Sequence, residues 1–117
     1  APEPHKAKVR PAADKAAAFL AKAQQADGSF SQGRSGLGTY RTALSIMALG
    51  AYDRARFKAE IAKGAEWLKT YQFDEQENVP PTSPHHGGYG YDKAGDKPDA
   101  DLSNTQLALA ALHDAGV

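Results

Sequence analysis

The chain has 117 residues, with 14 basic and 14 acidic side chains and no cysteine. That length makes one small domain or a piece of a larger one. A formal net charge of zero gives no global field toward nucleic acid or an anionic membrane, and the lack of Cys excludes a disulfide framework and a thiolate zinc site.

The start, "APEPHKAKVRP", is Pro-rich, lacks Met and carries Lys6, Lys8 and Arg10 against Glu3. It reads as a processed, solvated basic arm over residues 1–11, which places the protein in the periplasm or outside the cell as an expectation. Pro11 suits a first helical turn, and "AADKAAAFLAKAQQ" behind it is rich in strong helix formers. A first helix is therefore predicted over 12–25, with Ala16, Phe19, Leu20 and Ala23 on one face. Asp27-Gly28 then turns the chain.

A second helix is predicted over 38–51, where "TYRTALSIMALGAY" is so apolar around Leu44, Ile46, Met47 and Leu49 that it must be largely enclosed. A third, over 57–72, is amphipathic like the first: Ile61, Ala65, Trp67 and Leu68 oppose Lys58, Glu60, Lys63 and Glu66. A long loop at about 73–100 follows, acidic and rich in Pro and Gly. The fourth helix, over 102–114, is again nearly all apolar through Leu107, Leu109, Ala111 and Leu112, and Gly116 suits the position just past its end. No apolar run approaches the ~20 residues of a membrane span.

The order amphipathic, enclosed, amphipathic, enclosed is an internal repeat. Phe19-Leu20-x3-Gln24 superposes on Trp67-Leu68-x3-Gln72 at an offset of 48 residues, and Thr42-x-Leu44 on Thr105-x-Leu107 at 63, so the second unit carries 15 extra residues. The predicted fold is all-α: two antiparallel helical hairpins over 12–117. Gln24 and Gln72 sit where an amide can bind backbone groups freed at a helix end. Phe19, Gln24, Gly28, Phe30, Trp67 and Gln72 thus read as a staple between adjacent repeats.

Phe19-Leu20-x3-Gln24-x3-Gly28-x-Phe30 resembles the QW repeat of squalene–hopene and oxidosqualene cyclases, with Phe30 in the place of the usual Trp. Lys63-Gly64-x2-Trp67-Leu68-x3-Gln72 is similar to its first half, the glycine-aromatic end being displaced to Gly87-Gly88-Tyr89-Gly90-Tyr91. "GGYGYD" with "DLSNTQLALAAL" is similar to prenyltransferase/squalene-oxidase repeats. The resemblance implies an α/α toroid, with outer amphipathic helices alternating with inner apolar ones around a cavity. Two hairpins make an incomplete ring. Repeat units cannot bury their faces alone. Leu44, Leu107, Leu109 and Leu112 are therefore expected to be covered by another protein chain, a copy of this one or a C-terminal continuation.

Chemistry has few candidates. The resemblance points to Asp99 and Asp101 in "DADLSNT", because class II cyclases protonate an alkene or epoxide with the middle Asp of Asp-x-Asp-Asp-Thr. Leu102 replaces the third acid here, and Asp101 or Ser103 is also where a helix N-cap belongs. Protein prenyltransferases hold zinc with Asp, Cys and His, and Cys is missing. His85 and His86 with Asp92 or Asp99 are weak metal candidates in a loop of unconstrained geometry. Gly87-Gly88-x-Gly90 lacks the strand and the Lys-Ser/Thr of a phosphate loop. Arg34, within Gln32–Gly36, is a weak anion candidate. Phe30, Tyr40, Tyr52, Phe73, Tyr89 and Tyr91 suit packing, with Tyr40 the first to test for a cavity role. No cofactor is expected.

Three functions compete: a non-catalytic α/α-repeat module for assembly or partner binding, a subunit or fragment of a terpene-cyclase-like enzyme acting on an isoprenoid, and an apolar-ligand-binding module. The missing third acid, the missing Cys and the incomplete ring favour the first.

Overall fold

A computed structural model describes residues 3–30, 37–91 and 99–117, the first four of these by backbone alone. Arg34 and Asp92 lie outside the described residues, as does the whole 92–98 stretch of the acidic loop. The described chain is all-helical and holds four α-helices: α1 (Glu3–Lys22), α2 (Gly38–Asp53), α3 (Lys58–Tyr71) and α4 (Leu102–Asp114). No strand occurs among the described residues.

Three helices lie within two residues of their predicted bounds; α1 does not. It begins at Glu3 rather than 12, so the basic segment is helical and Pro11 stands inside the helix. Ala and Lys on both sides of Pro11 favour helix strongly enough to carry it across one lost N–H donor. Arg10 on this extension reaches the Tyr52 ring of α2, 5.0 Å from its centroid, and pairs with Asp14 at 3.3 Å.

α2 is the central helix. It packs most heavily against α4 and α3, and less against α1. The weight of packing thus falls between the repeats rather than within the α1–α2 and α3–α4 pairs, as nearest-neighbour interfaces do in repeat proteins. α1 runs antiparallel to α2: Leu20 and Ala23 border Tyr40 and Leu44, while Ala13 and Ala17 border Ala48 and Tyr52. α2 and α4 run parallel, because Arg54 after the end of α2 pairs with Asp114 at the end of α4, 3.1 Å apart. The core gathers Ile46 and Leu49 from α2, Ile61, Trp67 and Leu68 from α3, Ala108, Ala111 and Leu112 from α4, and the loop aromatics Phe30 and Tyr89.

Leu112, expected at an interface, is turned inward and belongs to this core. Phe19, expected to pack as part of the staple, stands in water instead. Its counterpart Trp67 is buried because the first repeat lies beneath it, whereas no described residue encloses the Phe19 ring.

Part of the long loop is an ordered unit. Phe73, Val79 and the half-buried Ala100 form a second small apolar cluster. A short 3₁₀ turn over Glu75–Glu77 is capped by Asp74, which accepts from the Gln76 N–H at 2.8 Å, and Asn78 closes it in the left-handed conformation at φ 63°. No described helix is long and apolar enough to cross a membrane.

Candidate functional site

The polar residues singled out by the sequence converge on two turns, one after each of α1 and α3. After α1, the Gln24 amide donates to the Gly28 carbonyl at 2.9 Å; after α3, the Gln72 amide donates to the Gly87 carbonyl at 3.0 Å. The backbone repeats the match. Gln25 N–H donates to Ser29 O and Phe73 N–H to Gly88 O, at 2.8 and 2.9 Å. Gly28 N–H donates to Gln25 O and Gly87 N–H to Phe73 O, at 3.0 and 2.7 Å. Both glycines have positive φ, 96° and 81°, which explains glycine at each.

Each turn is then pinned to the following helix by a threonine. Phe30 N–H donates to Thr42 Oγ1 at 3.0 Å, and Tyr89 N–H to Thr105 Oγ1 at 2.9 Å. The aromatic of each pair is buried. The structure therefore equates Gly28-x-Phe30 with Gly87-x-Tyr89 and divides the 15 extra residues of the second unit. Eleven fall between Phe73 and Gly87, and four between Tyr89 and Thr105. Sequence reasoning misses the threonine pins, although Thr42 and Thr105 align; a Thr in the first turns of each apolar helix is the available signal.

The first turn makes one further contact. Gln24 also donates to the Glu60 carbonyl of α3 at 2.8 Å, whereas Gln72 has no second acceptor among the described residues. A Cβ built on Gly28 would lie 2.4 Å from the Lys63 carbonyl oxygen, while one on Gly87 would meet nothing within 4 Å. Gln24→Ala is thus expected to cost about 2 kcal/mol and Gln72→Ala about 1 kcal/mol, one net hydrogen bond apart. Urea denaturation midpoints check the order; equal losses would show that the Glu60 bond adds nothing.

The candidate acids do local work. Asp101 is the N-cap of α4, accepting from Asn104 N–H at 2.8 Å and also from the Asn104 amide and the Ser103 hydroxyl. Partial burial raises the Asp101 pKa, but these donors from Asn104 and Ser103 outweigh it and hold the carboxyl below its ordinary value. Asp99 is exposed and lies before the cap. Asp99 stands in water and the Asp101 carboxyl is engaged as a cap, so neither lies in the dry cavity that protonating an alkene requires.

Because the folded-state pKa of Asp101 lies below the unfolded one, its stabilisation is complete above the unfolded value, about 3.9. It is lost as pH falls through the lower folded value. Asp101→Ala is expected to cost about 1 kcal/mol at neutral pH. The gap between variant and parent should close as the medium is acidified below that range, in chemical denaturation at several pH values.

The two histidines face different partners. His85 Nδ1 accepts from Ala100 N–H at 3.1 Å, and His86 Nε2 lies 3.2 Å from Glu75 Oε1. Among the described residues, no three His, Asp or Glu side chains stand together as a metal group. Tyr89 is fully buried, and burial, then the charge of Asp74, pushes its phenol up to about 12. It stays a neutral core residue. Tyr40 borders a shallow groove of about 390 Å³ between α1 and α2, with Phe19, Leu20, Phe30 and Leu44.

Together these features define an all-α chain carrying one turn-and-anchor arrangement twice. No protein-family description, curated protein or solved structure matches the chain.

Proposed function

We propose that this chain is a non-catalytic α/α-repeat module that serves assembly or partner binding, a two-repeat segment of a toroid-like stack. The observation that carries the reading is the set of apolar side chains left in water on helices whose other faces form the core: Phe19 on α1, Tyr40 and Leu44 on α2, Leu102 and Leu109 on α4. Exposed apolar patches on soluble proteins mark interaction surfaces. Leu44 and Leu109 are half-exposed and available, and Leu107 is partly covered. The repeat resemblance and the alternation of helix types support the toroid-like form, and the proposed partner is a protein surface of the same apolar kind.

The groove beside Tyr40 favours a second reading, an apolar-ligand wall, less strongly because it is shallow and open. Two measurements test the proposal. The chain should bind an environment-sensitive apolar dye at neutral pH, and incubation with squalene or another polyprene should give no product. Turnover abolished by Asp101→Asn would replace the module with an enzyme. A chain that binds no dye would refute exposed docking faces altogether.

A further inference from the structure

The two repeats bury different sides of themselves, and the difference identifies the partner. Counterparts on α2 and α4 are 63 residues apart, so Thr39 corresponds to Leu102, Ala43 to Gln106 and Ile46 to Leu109. In the first repeat this face is sealed: Thr39 is 0 % and Ile46 1 % exposed. In the second it is open: Leu102 is 89 % and Leu109 50 % exposed, and Gln106 is exposed as well. What seals the first face includes α3, whose Gly64 lies so close to Ile46 that an added Cβ would stand 2.4 Å from Ile46 Cγ2. The open turn at Gly87 and the singly bonded Gln72 belong to the same uncovered side.

The opposite end shows the converse. Counterparts on α1 and α3 are 48 residues apart, matching Val9 to Phe57, Ala12 to Glu60, Ala16 to Gly64 and Phe19 to Trp67. Phe57 is buried and Trp67 only 7 % exposed, because this seam of the second repeat lies on the first. On α1 the same seam faces water, with Phe19 73 % exposed and Val9, Ala12 and Ala16 exposed too. Among the described residues, one end thus presents an α4 face left open to water, and the other presents an outer-helix seam left open in the same way.

We infer that the partner is a second copy of this chain bound head to tail, its α1 seam docked on the Gly87 turn and the Leu102–Leu109 face of α4, reproducing between copies the contact that joins the two repeats within one. This rests on the docking-module reading above and names its partner. Side-chain shape supports the match at its tightest point. Within the chain, Gly64 faces the β-branched Ile46. Between copies, Ala16 faces Leu109, so the Cβ gained on one side is offset by the Cγ2 lost on the other. Gln72, with an N–H to spare, would find the Ala12 carbonyl where Gln24 finds that of Glu60. The contact is heterologous, so it propagates into a closed ring or an open filament.

The mean mass of the wild-type chain, by sedimentation equilibrium over a wide concentration range, should rise from 12.4 kDa to at least twice that value. Phe19→Asp and Leu109→Asp, both at exposed positions, should each remain at the mass of one chain with unchanged helicity. Mixed in equal amounts they should form a pair and stop there, because each retains the face the other lacks. A mixture that stays monomeric, or a Leu109→Asp chain that still dimerises, overturns the head-to-tail contact. A wild-type chain monomeric throughout overturns it as well. If that monomer binds apolar dye, the docking-module reading survives with a different partner; if it binds none, both fall.

Discussion

Replacing Gly28 by Ala is expected to destabilise the protein by about 2–5 kcal/mol, while the same change at Gly87 costs only about 1–2 kcal/mol. The backbone at both positions lies at positive φ, so an L side chain meets comparable strain at each. The surroundings differ. At Gly28 the new Cβ would stand 2.4 Å from Lys63 O and 2.9 Å from Lys63 C, backbone atoms of a helix that no rotamer change moves aside. At Gly87 nothing lies within 4 Å. The excess at Gly28 is therefore the cost of pushing α3 off the first turn, and it is a large share of the 5–15 kcal/mol that holds a typical domain folded. Urea titrations of both variants, compared at a common m-value, read it directly. Equal losses would mean that the close approach of turn and helix does not constrain the fold.

Trp67→Ala should cost about 3–5 kcal/mol, and Phe19→Ala, its repeat counterpart, no more than about 0.5 kcal/mol. Trp67 is buried, stacks on Tyr71 with ring centroids 3.9 Å apart, and packs so closely on Gly38 that a Cβ there would lie 3.0 Å from the indole edge. Removing the ring opens a cavity at the seam between the repeats, where α3 meets the start of α2. Removing Phe19 takes away a ring that already stands in water. Thermal and chemical denaturation of the two variants at low concentration, where copies do not associate, check the contrast. A comparable loss at Phe19 would show that α1 relies on this ring within the monomer.

What the sequence determined by itself is local. Helix type and extent for α2, α3 and α4 follow from apolar spacing over a few turns, the α4 start from an Asp that caps its own first turn, and the turn glycines from a conformation other residues resist. These interactions span three to five residues, so a linear pattern contains them. The start of α1 was less legible because Pro11 suits both a first turn and, less well, an exposed interior position.

The tertiary structure decided matters that depend on which neighbour is present. Phe19 and Trp67 occupy the same place in the repeat, yet one stands in water and the other is enclosed, because among the described residues the α3 seam lies on the first repeat and the α1 seam lies on nothing. Ile46 and Leu109 differ for the opposite reason: among the described residues α3 lies over Ile46, and no helix lies over Leu109. Leu112 turned inward where its equally apolar neighbour Leu109 turned out, a choice made by which side of α4 faces α2 and α3. Gly28 and Gly87 share a backbone conformation, and only packing makes one of them intolerant of a single methyl group. Burial is a property of pairs of surfaces, and a repeated sequence specifies each surface without stating whether its partner surface is there.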